Sequence, residues 1–150
     1  MRLLIHRVTR ASVEIEGTIK GALGKGLLVL VGVTHEDTEE DLEYLAQKLV
    51  KIRLFDDAEG VMNLDVQQVE GELLVVSQFT LLASTRKGNR PSYIAAAPEA
   101  VSKPLYEQFV RSVEGALGRS VDTGEFGEDM KIELTNDGPV TIWIDSKNRE

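Results

Sequence analysis

A chain of 150 residues, 42% apolar and 28% charged, has the size and balance of one ordinary globular domain, residues 1–150, able to bury roughly 70% of its unfolded surface. It holds no cysteine, which removes disulfides, thiolate nucleophiles and thiolate-bound zinc together. The net charge of -8 argues against broad, nonspecific nucleic-acid binding, and no apolar run approaches the roughly 20 residues of a membrane span, so an unprocessed cytoplasmic protein with no membrane partner is expected.

Met1 to Glu16 alternates Leu3, Ile5, Val13 and Ile15 with polar neighbours, the period of a half-buried strand. Glu16-Gly17-Thr18 reads as the turn of a first hairpin whose second arm runs through Ile19 to Leu23. Leu27 to Val33 is a continuous aliphatic run, expected to be a central strand buried on both faces. Asp37, with Glu40 three residues on, predicts a capped helix with Leu42, Leu45, Ala46, Leu49 and Ile52 as its apolar stripe. Asp56-Asp57-Ala58-Glu59-Gly60 reads as an acidic turn, because the alternating oxygen ligands of a calcium loop are missing. Leu73 to Leu82 predicts a second buried strand, interrupted by Ser77, Gln78 and Thr80. Ser84 to Tyr93 is a loop with three cations, Arg86, Lys87 and Arg90, in five residues. A second helix is expected with Ser102 as cap and Pro104 in its first turn. Leu105, Phe109, Val113, Ala116 and Leu117 would form its buried stripe, and Gly118 its end. Met130, Ile132 and Leu134, then Val140, Ile142 and Ile144, alternate as two strands. Asn136-Asp137-Gly138-Pro139 between them has the composition of a hairpin turn. The residues together predict one mixed α/β domain.

Side-chain bases are scarce. The two histidines, His6 and His35, have no metal-ligand spacing, and His6 beside Arg7 reads as a strand-surface residue. Polar side chains in an apolar strand need partners, so Ser77-Gln78-Phe79-Thr80 is either an internal network or the lining of a pocket. Thr80 is a candidate nucleophile, but no base stands near it in sequence. A Gly-Pro bond can be cis at modest cost, and glycine lets a backbone approach a ligand closely.

Ser77-Gln78-Phe79-Thr80 and Asn136-Asp137-Gly138-Pro139-Val140-Thr141 resemble the two signature motifs of the D-aminoacyl-tRNA deacylases. The likeness extends to Arg7-Val8-Thr9-Arg10-Ala11-Ser12-Val13, Met62-Asn63-Leu64, Gly88-Asn89-Arg90-Pro91-Ser92 and Thr123-Gly124-x-Phe126-Gly127, in order over nearly the whole chain. The resemblance implies a compact β-barrel-like core of mostly antiparallel strands with two main flanking helices, working as a homodimer with active sites at the subunit interface. It implies hydrolysis of D-aminoacyl-tRNA, and of glycyl-tRNA mischarged on tRNA(Ala), as chiral proofreading, without metal or other cofactor and with no DNA partner. Ser77, Gln78, Phe79 and Thr80 would line the pocket for the 3′-terminal aminoacyl-adenosine. Gly138 and Pro139, in cis, would be inserted from the partner subunit to reject L-residues, with Arg7 holding their loop and Met130 bordering the pocket. Arg86, Lys87 and Arg90 are the expected phosphate contacts. With no side-chain base at hand, the ribose 2′-OH is expected to help water attack, in preference to Thr80 as covalent nucleophile. A small-ester hydrolase using Thr80, a noncatalytic RNA-binding module and a purely structural dimer are the rival readings.

Overall fold

In the computed structural model, which describes residues 1–149, the chain opens with a 14-residue strand, β1 (Arg2–Ile15). Glu16 and Gly17, both at positive φ, turn it into β2 (Thr18–Leu23), with Ile15 opposite Thr18. A two-residue loop of that conformation matches the natural twist of a hairpin. β3 (Gly26–Gly32) returns antiparallel to the first half of β1. β6 (Glu72–Ser77) then pairs parallel to β3, and the short β7 (Asp122–Thr123) pairs parallel to β6. Parallel neighbours need crossovers, and the two helices supply them: α1 (Glu39–Lys51) before β6 and α2 (Glu99–Leu117) before β7. A small antiparallel pair, β4 (Phe55–Asp56) and β5 (Met62–Leu64), stands between α1 and β6. Side-chain bonds from Asp122 to the Ala22 N–H (2.9 Å) and from Glu72 to the Gly24 N–H (2.7 Å) link β2 to the β6–β7 side. The sheet is thereby nearly closed into a barrel.

The aliphatic run in β3 is buried on both faces, as its composition predicts. Leu27, Val29 and Val31, with Leu73 and Val75 of β6, face both helices. Leu28, Leu74 and Val76 face the barrel interior with Val8, Ala11, Val13 and Leu23. α1 buries Leu42, Leu45, Ala46, Leu49 and Val50, so the stripe ends on Val50, with Ile52 only half-buried behind it. Its capping box is built from Thr38 and Asp41, one residue later than Asp37 and Glu40. Asp37 is taken elsewhere: its carboxylate receives the Met1 α-ammonium, fully buried, and the Thr34 N–H at 2.6 Å. The Asp41 carboxyl is held well below the usual carboxylate range. Its burial would raise it, but bonds from Lys147 and the Thr38 N–H outweigh that. α2 begins at Glu99 after Pro98, three residues before the expected cap, so Ser102 lies inside and bonds back to the Pro98 carbonyl (3.1 Å). Pro104 therefore falls in the second turn. The buried stripe is Ser102, Tyr106, Phe109, Val113 and Leu117, rotated from the expected one toward Tyr106. In the acidic turn, Asp57 accepts from the N–H groups of Glu59 and Val61, a local chain reversal.

Two expectations about the strands are corrected. The strand expected from Leu73 to Leu82 ends at Ser77, and Phe79–Leu82 forms a 3-10 turn. The polar residues stand at a strand end rather than within it, where water and backbone can satisfy them. Nor is there a hairpin at Asn136 to Pro139. Lys131 to Asp145 is one strand, β8, antiparallel to β1 throughout. Two steps along β1, from His6 to Val8, are matched by five along β8, from Thr141 to Asn136. The turn-forming residues are consumed in a bulge that leaves the strand direction unchanged.

Candidate active site

A cleft of about 250 Å³ opens where β6 runs into the 3-10 turn. Ser77, Gln78 and Phe79, Tyr106 and Ser102 of α2, and the segment Phe126 to Met130 line it. The turn begins because β6 reaches its last ladder bond at Gln78, whose N–H donates to the Val31 carbonyl at 2.7 Å. Gln78 then bonds through Nε2 to the Thr80 hydroxyl. The backbone N–H groups of Phe79 and Thr80 have no protein acceptor among the described residues, the normal condition at the start of a helical turn. Thr80 is exposed and lies outside the cleft lining, unlike the three residues before it.

Tyr106 is fixed in place. Its hydroxyl donates to the Val75 carbonyl at 2.9 Å, and burial pushes its ionisation far above the ordinary phenol range, with Glu107 adding to the shift. It therefore acts as a fixed neutral donor. The Phe126 ring packs 5.7 Å from it. Met130 closes the cleft from the barrel side. Its sulfur lies 2.5 Å from where a Cβ on Gly124 would project, so Gly124 must lack a side chain for Met130 to sit there. Tyr106, Ser102, Ala97, Phe126, Glu128 and Asp129 were not among the expected site residues. The Thr123-Gly124-x-Phe126-Gly127 motif was the available signal for Phe126, whereas a tyrosine on a helix face carries none.

Arg7, Gly138 and Pro139 come together away from this cleft. Arg7 is 7% exposed, and its guanidinium is spent on a single job. Nε donates to the Asp137 carbonyl (3.1 Å), and one terminal nitrogen to the Leu54 carbonyl (2.7 Å) and Asp56 (3.3 Å). Asn136 accepts from the Val140 N–H (3.2 Å) and donates to the Thr141 hydroxyl (2.9 Å), which also meets His6 Nδ1 at 3.0 Å. Burial lowers the pKa of that histidine, which keeps it neutral. The Gly138-Pro139 bond is cis, and both residues are exposed. Gly138 has φ +127, and a Cβ there would meet the Val140 nitrogen at 3.0 Å and an Arg7 nitrogen at 3.1 Å. Only glycine suits that position.

Arg86, Lys87 and Arg90 ride on a loop closed by paired backbone bonds between Ser84 and Ser92 (2.8 and 2.9 Å). All three are exposed, with no hydrogen bond or ion pair among the described residues. The loop reaches the cleft through Tyr93, whose ring contacts that of Phe79. Among the described residues no group of three or more metal-ligating side chains is found, and no helix is long and apolar enough to cross a membrane.

The sequence profile of a family described as D-Tyr-tRNA(Tyr) deacylase matches residues 4–145. The chain is 57% identical to the D-aminoacyl-tRNA deacylase of Bacteroides fragilis (strain YCH46) and 56% to that of Flavobacterium johnsoniae, over 150 residues and 100% of each chain. Among solved structures, one described as c-Myc DNA Unwinding Element Binding Protein aligns with a TM-score of 0.92 and 36% identity, covering 97% of this chain and 98% of its own. Another, described as a probable eukaryotic D-amino acid tRNA deacylase, shares the fold at a TM-score of 0.81 and 18% identity, covering 95% and 97%.

Proposed function

Because the chain belongs to the D-aminoacyl-tRNA deacylase family, hydrolases of the aminoacyl-tRNA ester bond, we propose that it proofreads chirality in the cytoplasm as a homodimer whose subunits complete each other's sites. The observation that carries this reading is the separation of the two motifs. Met130 borders the cleft, and Gly138 stands eight residues further along essentially the same strand, roughly 25 Å at about 3.3 Å per residue. A chain cannot bring its own Gly138-Pro139 to its own cleft, but a second copy can. β8 also pairs only with β1 among the described residues, leaving a long edge with Leu134 and Trp143 exposed. Such an edge is a natural subunit contact.

In this reading the cleft takes the terminal adenosine of tRNA and its aminoacyl ester. Water adds to the ester carbonyl, the bond to the ribose 3′-oxygen breaks, and that oxygen takes the proton. The Phe79 and Thr80 N–H groups, free of protein acceptors, stabilise the oxyanion with help from Gln78. The neighbouring 2′-OH orients the water, since His6 and His35 are bonded elsewhere, to Thr141 and to the Ile94 carbonyl. This also makes the reaction specific to RNA ends over DNA ends. The exposed backbone of Gly138-Pro139 occupies the space an L-side chain would need, while a D-side chain projects outward. Glycine passes the same filter, so glycyl-tRNA(Ala) is a second substrate. Neither metal nor organic cofactor enters the scheme.

Deacylation of tRNA charged with D- or L-tyrosine tests this. The D-ester should be cleaved at least about 1000-fold faster, beyond the roughly 10- to 200-fold that a one-methylene difference achieves. Equal rates, or no hydrolysis of either, would sink the proposal.

A further inference from the structure

We propose that the RNA strand leaves the cleft over Phe79 and Tyr93, and that the nucleobase preceding the terminal adenosine stacks on the Tyr93 ring. This rests on the deacylase reading above and extends it by one nucleotide. Phe79 lines the cleft and is 57% exposed; Tyr93, 39% exposed, packs against it from outside the cleft lining. Their rings meet at 5.1 Å and 73°, an edge-to-face contact that leaves each with at least one open face.

Charge decides the direction of exit. Tyr93 follows directly on the loop that carries Arg86, Lys87 and Arg90, all exposed and uncommitted among the described residues. The segment Phe126 to Met130, which also lines the cleft, carries Glu128 and Asp129, both exposed. A phosphate chain anchored by its last nucleoside is repelled from the acidic segment and drawn across the basic loop. Open aromatic faces beside unpaired cations are how proteins hold single-stranded RNA, and every base has a π-face to offer. A second protein copy seated here would have to desolvate three unpaired cations, a penalty that RNA phosphates avoid.

The test compares D-tyrosyl-tRNA with 3′-O-D-tyrosyl-adenosine, which lacks the preceding base. In Tyr93→Ala, kcat/KM on the tRNA should fall about 5- to 100-fold, mostly through KM, as loss of one base stack implies. That loss should exceed the loss on the adenosine ester by at least about fivefold, and Tyr93→Trp should keep activity on tRNA within about threefold. Tyr93→Leu, which keeps bulk without a π-face, should behave like the alanine variant and covers the case in which alanine disturbs folding. Equal losses on both substrates would overturn the proposal. So would a shift from dimer to monomer in sedimentation velocity of Tyr93→Ala, which would assign this surface to a second copy. If the wild-type chain cleaves neither ester, the deacylase reading itself fails, and this inference with it.

Discussion

The bulge at Asn136 to Val140 and the turn at Ser77 to Leu82 are held in different ways. The bulge is over-determined: a buried arginine, an asparagine side chain and the packing of Val140 all fix a segment whose Gly138 and Pro139 remain exposed. The turn is anchored at its ends, by the Gln78 N–H on the Val31 carbonyl, by Arg2 on the Leu81 carbonyl (3.2 Å) and by buried Leu82, while the leading Phe79 and Thr80 N–H groups have no protein acceptor among the described residues. Under the proposed function, a segment that rejects must not yield, whereas one that receives must keep donors open. On that reading the bulge is the wedge and the turn the socket.

Removing the clamp should break the contrast most severely. Arg7→Ala leaves the buried Leu54 carbonyl and the Asp137 carbonyl without their donor, at a cost of about 2–4 kcal/mol. Thermal unfolding should shift down by roughly 5–15 °C for a chain of this length, and hydrolysis of L-tyrosyl-tRNA should rise in the folded fraction. An unshifted melting curve would mean that the bulge holds itself. Gly138→Ala sharpens the comparison with less damage. Forcing a side chain onto a positive-φ position costs about 1 kcal/mol, and the Cβ presses on the Val140 nitrogen. The ratio of D- to L-ester hydrolysis should fall about tenfold or more, while the D-rate drops less than the ratio. Unchanged selectivity would return the bulge to a structural role. On the socket side the effect should be smallest. Thr80→Ala should lower kcat by less than about tenfold, because the backbone donors remain and the hydroxyl serves only to orient Gln78. Loss of all activity, together with an acyl-enzyme trapped in the wild type and absent from the variant, would make Thr80 the nucleophile instead.

Much of the fold was legible wherever a local pattern reports a buried face. The two-sided burial of Leu27 to Val31 follows from its unbroken aliphatic composition, and the stripe of α1 from its spacing. Caps were less legible. Asp37 and Thr38 are equally good candidates by type, and the choice turned on the Met1 α-ammonium claiming Asp37 from the far side of the fold. In the cleft, Ser77, Gln78 and Phe79 were reachable through the motif they belong to, and Met130 only through the family resemblance. Tyr106 was not, because its hydroxyl has meaning only beside the Val75 carbonyl, 31 positions away in sequence.

The sequence by itself determined the family, the alternation of β1, the interior of β3, and the absence of cysteine and of base-bearing triads. Those are properties of composition and short period, and they survive any packing. Tertiary structure alone decided that Asn136-Asp137-Gly138-Pro139 is a bulge and not a hairpin. Turn residues permit a reversal without requiring one, and here eleven pairings with β1 hold both halves of β8 to one direction. It alone decided, too, that Gly138 lies well along the strand that begins directly after Met130. Their separation follows from extended backbone running without reversal between them, the geometry on which the proposed two-subunit site rests.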